Sequence, residues 1–140
     1  MFKHKTSIEI RFVDLDAFGH VNNANYLSYF ENARVKYFDE IVGWKYDWSK
    51  QGIILARAEI NFVSPVHFRD NVFIQVRCSR IGTKSFDLEY KMIKIENGKE
   101  QLMADGISIM VTYDYEKNKS IEVPKEWKEA ILKFEGVETL

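Results

Sequence analysis

Alternating hydrophobic and polar positions predict five strands in this chain. The first alternation runs from Ser7 to Val13, with Ile8, Ile10 and Phe12 on one side, as in a half-buried strand. Four more strands are predicted at Ile53–Val63, Val72–Arg80, Ser85–Ile95 and Gln101–Tyr115.

Glycines refine the prediction of these strands. Asn97-Gly98 separates the last two and is the strongest short signal for a β-hairpin. Gly106, inside the final strand, indicates a bulge or a close approach of another group.

A long amphipathic helix is predicted between the first two strands. Apolar residues recur at steps of three and four from Tyr26 to Ile41, with polar residues on the opposite face. Asn22 or Asn23 is expected to cap its start, and Gly43 is placed to end it.

Two further segments complete the predicted organisation. The stretch from Gly43 to Gly52 mixes Trp44 and Trp48 with polar residues, which predicts a loop or a short irregular helix. A second helix is predicted from Pro124, with an apolar stripe of Trp127, Ile131 and Phe134. One long helix among about five strands joined by short turns is typical of an α+β domain with an antiparallel sheet.

Composition narrows the class of protein. The chain has 140 residues, 46% of them hydrophobic, and a net charge of −1, which indicates one globular domain without the basic excess of nucleic-acid binders. The single cysteine, Cys78, excludes a disulfide scaffold, a zinc ribbon and a CxxC redox site. No targeting or membrane-spanning run is visible, so we expect a cytoplasmic protein with no membrane or nucleic-acid partner.

Two carboxylates and a histidine, Asp14, Asp16 and His20, fall between the first strand and the long helix. By strand parity Asp14 continues the core face, and burying paired carboxylates is costly, so the chain leaves strand geometry here or forms a special site. The carboxylates could be turn residues bonded to nearby backbone, with His20 on the surface. Alternatively, one carboxylate attacks a carbonyl or activates water, while N–H groups at the helix start bind the oxyanion.

Other chemistries find less support in the sequence. There is no GxSxG motif, and Cys78 has no evident base nearby, which argues against a serine or cysteine hydrolase. The three histidines lack the spacing of metal ligands. Arg80 and Lys84 form a small basic cluster, which is either a solvated loop or a phosphate contact.

One motif identifies a family resemblance. The run Asp14-Leu15-Asp16-Ala17-Phe18-Gly19-His20-Val21-Asn22-Asn23 is followed by Tyr26, Tyr29, Phe30, Glu31, Ala33 and Arg34. It resembles the hydroxybenzoyl-CoA thioesterase and YbgC-like branch of the hotdog-fold acyl-CoA thioesterases. The stretch from Asn61 to Val66 and the order of elements extend the resemblance over most of the chain.

The resemblance implies a single α+β hotdog domain over residues 1–140, a long central helix wrapped by a curved antiparallel sheet of about five strands. Such domains pair into homodimers and often homotetramers, with the acyl thioester at the subunit interface. By the same resemblance Asp16 is the catalytic carboxylate, and the Asn23 N–H polarises the thioester carbonyl. His20 either orients Asp16 or water, or merely completes the turn.

The predicted substrate contacts lie outside this motif or at its end. Lys84 and Ser85 match, by position, the basic turn that holds the CoA phosphates or the pantetheine arm in this family. Tyr26, on the aromatic stripe of the helix, is expected to line an acyl pocket.

The sequence therefore predicts hydrolysis of an acyl-CoA to free acid and CoA. No metal or other cofactor is expected, since CoA is part of the substrate. An acyl-ACP thioesterase and a non-catalytic acyl-CoA-binding module remain alternatives. The near-neutral charge disfavours a carrier-protein partner. Plant acyl-ACP thioesterases have a functional Asn between the Asp pair and the His of this motif, and this chain has Phe18 at that position. A hotdog dehydratase is disfavoured because the long helix carries no histidine.

Overall fold

A computed structural model describes residues 1–43 and 47–140. The elements follow in the order β1 (His4–Ile8), a short 3-10 helix (Phe12–Asp14), α1 (Asn25–Ile41), β2 (Gln51–Phe62), β3 (Asn71–Ile81), β4 (Ser85–Glu96), β5 (Lys99–Asp114), β6 (Lys119–Ser120) and α2 (Lys125–Glu135).

The described strands form one antiparallel sheet in the order β1-β3-β4-β5-β2, with the two-residue β6 beside β5. The four long strands predicted from the sequence are confirmed to within two residues. Asn97 and Gly98 form the predicted hairpin turn between β4 and β5, and both have positive φ angles, of 53° and 73°. This α+β arrangement agrees with the hotdog fold that the resemblance implies.

The apolar face of α1 packs on the inner face of the sheet. Phe30 of α1 stacks on Tyr90 of β4 with ring centroids 4.7 Å apart. Gly106 of β5 lies directly beneath: a Cβ atom there would come within 2.8 Å of the Phe30 ring and of the Glu59 carbonyl oxygen. The close approach predicted at Gly106 is therefore confirmed, and the register of β2 with β5 shifts elsewhere, between Leu55 and Arg57.

The prediction for the first strand is wrong. β1 runs from His4 to Ile8 instead of Ser7 to Val13, and Phe12 is 76% exposed. His4 and Thr6 occupy two of its inward positions, and the His4 ring is hydrogen-bonded to the Thr6 hydroxyl at 2.6 Å. Because both residues are polar, hydrophobic alternation did not indicate the start of the strand. β1 ends before the predicted Val13 because the chain forms the 3-10 helix Phe12–Asp14 there.

The ends of α1 agree only in part with expectation. Neither Asn22 nor Asn23 is the N-cap residue, because the helix begins one residue later and Ala24 holds that position. Asn22 still serves the helix start, since its Oδ1 accepts a hydrogen bond from the Ala24 N–H at 3.0 Å. At the other end, the Val42 and Gly43 N–H groups both donate to the Phe38 carbonyl oxygen, which confirms the predicted stop.

The remaining segments frame this core. The loop predicted around Trp44 lies partly outside the described residues, while Trp48 belongs to a turn just before β2. α2 confirms the predicted second helix, with Trp127 and Ile131 fully buried. No helix among the described residues has the length and apolar character needed to cross a membrane.

Candidate active site

A tight loop fixes Asp16 just ahead of α1. The Asp16 N–H donates to the His20 carbonyl oxygen at 2.8 Å, and the Gly19 N–H donates to the Asp16 carbonyl oxygen at 3.1 Å. Gly19 has a φ of 78°, a conformation that favours glycine. Asp16 Oδ1 accepts the Phe18 N–H at 2.8 Å, while Oδ2 has no hydrogen bond from a described residue. One exposed carboxylate oxygen is thus held in place and the other is free to act.

Asp14 has a different environment from Asp16, although the two are only two residues apart. Its side chain is buried and accepts hydrogen bonds from the Tyr29 hydroxyl at 2.7 Å and from Arg11 Nη2 at 2.9 Å. Burial opposes ionisation, but these hydrogen bonds outweigh it and lower the pKa of Asp14. The Asp14 carbonyl also accepts the Asn22 N–H at 2.8 Å. Asp14 therefore anchors the loop to α1.

The start of α1 supplies a donor beside Asp16. The N–H groups of Ala24, Asn25 and Tyr26 all donate to Asn22 or Asn23. The Asn23 N–H has no acceptor among the described residues. A free N–H at the positive end of a 17-residue helix is suited to a carbonyl oxygen that gains negative charge.

These groups meet in a cleft of about 320 Å³. Its lining includes four of the predicted site residues, Asp16, His20, Asn23 and Tyr26. Tyr26 is buried, which raises the pKa of its hydroxyl, and its ring meets Phe62 edge-on at 4.9 Å. The structure thus joins a carboxylate, a helix N-terminus and an aromatic wall in one space.

His20 is held by backbone as well as by its ring. It forms an isolated antiparallel bridge with His67, and the two rings meet edge-on at 5.0 Å. The imidazole makes no hydrogen bond to the Asp16 carboxylate, so the contact between the two residues runs through backbone atoms.

Lys84 and Ser85 lie far from this cleft within one chain. Lys84 lies in the turn before β4 and Ser85 is the first residue of β4, and the Lys84 carbonyl accepts the Thr112 N–H. The cleft is at the other end of the sheet, since Phe62 pairs with Ala104. Eight residues of β5 separate these points, roughly 27 Å along a strand. Ser85 Oγ already accepts a hydrogen bond from Arg80 at 2.9 Å.

The far wall of the cleft was missed by sequence reasoning. It consists of the segment after β2, from Phe62 to Pro65. The Val21 N–H donates to the Val66 carbonyl oxygen at 2.8 Å and draws this segment against the loop. The sequence feature that could have indicated this wall is the stretch from Asn61 to Val66, which extends the family resemblance but was assigned no role in the site.

Comparisons with known proteins identify the family of the chain. The family model described as the thioesterase-like superfamily matches residues 10–131. Among solved structures, a thioesterase from Thermus thermophilus, complexed with coenzyme A and Zn, is 33% identical. Its alignment covers 96% of each chain with a TM-score of 0.82.

Two curated relatives extend the comparison. The long-chain acyl-CoA thioesterase FadM of Escherichia coli is 26% identical over 91% of this chain and 96% of its own length. The chloroplastic acyl-acyl carrier protein thioesterase ATL3 of Arabidopsis thaliana is 25% identical over 94% of this chain and 68% of its own. The chain therefore belongs to the thioesterase-like superfamily, as its motif predicts, and is a thioester hydrolase.

Proposed function

We propose that the protein hydrolyses acyl-CoA thioesters in the cleft between the Asp16 loop and the start of α1. The observation that carries this proposal is the exposed Asp16 carboxylate beside the free Asn23 N–H. The thioester carbonyl oxygen accepts the Asn23 N–H, and Asp16 faces the carbonyl carbon. The positive end of the helix stabilises charge that develops only in the transition state.

Two courses of reaction use the same groups. As a nucleophile, Asp16 Oδ2 bonds to the carbonyl carbon, the C–S bond breaks, CoA leaves as the thiolate, and water hydrolyses the mixed anhydride. As a general base, Asp16 takes a proton from water, whose oxygen adds to the carbonyl carbon before CoA departs. Both return a carboxylic acid and CoA. His20, on the same cleft, positions the water, and Tyr26 with Phe62 packs against the acyl group.

A second copy of the chain completes the site in this proposal. β2 ends the sheet on one side as a 12-residue edge strand with Ile54 and Leu55 exposed, which suits pairing with another β2. Antiparallel pairing centred near Arg57 sets Phe62 opposite Gly52 of the partner. The partner's Lys84 then lies three strand spacings from the cleft, about 14 Å. A homodimer thus gives Lys84 and Ser85 their expected part in binding the pantetheine arm or phosphates of CoA.

CoA is favoured over a carrier protein as the thiol. The Thermus thermophilus relative was solved with coenzyme A, and its alignment covers nearly the whole of both chains. The ATL3 relative keeps the carrier-protein thioester as the second candidate. The net charge of −1 gives no general attraction to an acidic carrier.

The test measures free CoA from a panel of short, long and aromatic acyl-CoAs, with the same acyl groups on acyl carrier protein as a comparison. We expect turnover of at least one acyl-CoA, with a higher kcat/KM than for its carrier-protein counterpart. The reverse preference would establish the carrier-protein alternative. Micromolar binding of acyl-CoA without CoA release over hours would establish the binding module instead.

One further measurement identifies attack by Asp16 when water then hydrolyses the anhydride at the Asp16 carbonyl; hydrolysis at the acyl carbonyl would instead label the acid, as general-base catalysis does. In a single turnover in oxygen-18 water, attack by Asp16 followed by hydrolysis at the Asp16 carbonyl leaves the first acid unlabelled and the enzyme labelled. General-base catalysis labels the acid in the first turnover.

A further inference from the structure

Beside the proposed cleft, a second cavity of about 220 Å³ lies between α1 and β2, and we call it the α1–β2 groove. Its lining includes Leu27, Phe30, Arg34, Ala58, Ile60 and Tyr90. Leu27 directly follows Tyr26, and Ile60 comes two residues before Phe62, so the groove adjoins the aromatic wall of the cleft. An acyl chain leaving the cleft therefore meets an apolar path along the helix.

The groove contains one buried charge. The Arg34 side chain is only 9% exposed, and its Nη1 donates to the Tyr90 hydroxyl at 3.1 Å. The Tyr90 hydroxyl is in turn 2.7 Å from Ser108 Oγ. The carboxylate nearest Arg34 belongs to Glu31, which is mostly exposed and lies 3.9 Å away. The hydrogen bond described for this guanidinium goes to a neutral hydroxyl and its ion pair with Glu31 is long, so an alkyl tail pushed against it would desolvate a charge that is only weakly compensated.

Arg34 also stands between two apolar spaces. A further cavity of about 350 Å³ shares Glu31, Arg34 and Leu55 with the groove and continues past Val35 and Phe38. The guanidinium thus lies at the boundary, with apolar room on either side of it.

Resting on the proposed function, we propose that Arg34 limits the length of the acyl chain that the enzyme accepts. The Tyr90–Ser108 pair that holds Arg34 is level with Ala58, because Ser108 pairs with Ala58. Ala58 lies four residues before Phe62, about 13 Å along a strand. An extended chain advances about 1.2 Å per bond. A saturated acyl group of about ten carbons therefore fills the groove and ends at the guanidinium.

The test measures kcat/KM for saturated acyl-CoAs from four to sixteen carbons. We expect wild type to decline by about ten-fold or more beyond the optimum near ten carbons. Arg34→Met, which removes the charge and keeps most of the volume, should raise the ratio of long-chain to eight-carbon activity by about ten-fold. Arg34→Lys should keep the wild-type limit, and Arg69→Met, an exposed residue outside the groove, serves as the matched control.

Ala58→Phe narrows the same groove and leaves Arg34 unsubstituted. The inference can therefore still be tested if Arg34→Met does not fold. Ala58→Phe should move the optimum to shorter chains. A length profile unchanged in folded Arg34→Met, or unchanged in Ala58→Phe, would overturn the inference while leaving the proposed function intact. Absence of CoA release from every acyl-CoA would instead refute the proposed function, and this inference with it.

Discussion

Replacing Asp14 with alanine separates the anchoring carboxylate from the one proposed to react. The substitution removes the acceptor of the Tyr29 hydroxyl, which is buried, and of the Arg11 guanidinium, whose side chain is 68% exposed. Water can solvate Arg11, but a buried hydroxyl left without a partner costs about 1–3 kcal/mol. With the loss of the charge-assisted hydrogen bonds, we expect about 2.5 kcal/mol of destabilisation.

This free energy converts into a measurable temperature shift. At about 2.1 cal/mol/K per residue, unfolding of 140 residues carries an entropy of about 0.3 kcal/mol/K, so Tm should fall by about 8 °C. Circular dichroism during heating measures this shift, and urea unfolding measures the free energy itself. Tyr29→Phe is the matched control, because it removes one donor and leaves Asp14 bonded to Arg11, and it should lower Tm by less.

The pH dependence gives an independent check on Asp14. Because its pKa is lowered in the folded protein, its contribution is complete above the unfolded pKa, near 4, and is lost as pH falls through the lower folded pKa. The stability difference between wild type and Asp14→Ala should therefore be constant from pH 7 to 5 and shrink below pH 4. A Tm within 2 °C of wild type at pH 7, or a difference that grows on acidification, would refute the anchoring role.

Three other expectations follow from particular contacts. Gly106→Ala should destabilise the protein by about 1–3 kcal/mol, as measured by urea unfolding, because the new methyl group meets Phe30 and a backbone carbonyl; unchanged stability would contradict that packing. Cys78, buried and with its pKa raised by burial to about 12, should resist a thiol reagent at pH 8 until the chain is unfolded, and rapid modification of the native protein would contradict this burial. Lys84→Ala should raise KM for acyl-CoA by about ten-fold but leave acyl-pantetheine unaffected, since only CoA carries the phosphates that Lys84 is proposed to bind; an equal effect on both substrates would remove Lys84 from phosphate binding.

The parts of the fold predicted well are those where most of one face is apolar. β3, β4 and β5 alternate between buried and more exposed positions over most of their length, and the stripe from Tyr26 to Ile41 lies on the helix as expected. β1 broke this rule because His4 and Thr6 are core residues that satisfy each other. Hydrophobic periodicity does not register a buried polar pair, so the strand was placed too late in the chain.

In the candidate site, the residues of one short motif were predicted, whereas the wall from a distant segment was not. Asp16, His20 and Asn23 are close in sequence, and the turn that joins them follows from Gly19 and the Asn pair. The wall from Phe62 to Pro65 depends on the hydrogen bond between Val21 and Val66, which joins segments 45 residues apart. Local sequence patterns carry no measure of that distance.

Strand parity predicted the burial of Asp14 correctly but not the position of Asp16. Asp14 is buried, as parity predicts, but it lies in a 3-10 helix rather than a strand. Beyond it the backbone turns, and Asp16 faces the cleft instead of the core. The cost of burying two carboxylates side by side predicted either a departure from strand geometry or a special site, and the chain does leave strand geometry at the 3-10 helix.

The central claim is that Asp16 drives thioester hydrolysis at the start of α1. Its most direct test compares kcat of wild type and Asp16→Asn on the best acyl-CoA, with Tm measured for both. Asparagine keeps an oxygen for the Phe18 N–H but supplies neither a nucleophile nor a base. We predict a loss of about 10²–10⁴-fold in kcat with little change in Tm. A folded variant that retains wild-type turnover would contradict the account.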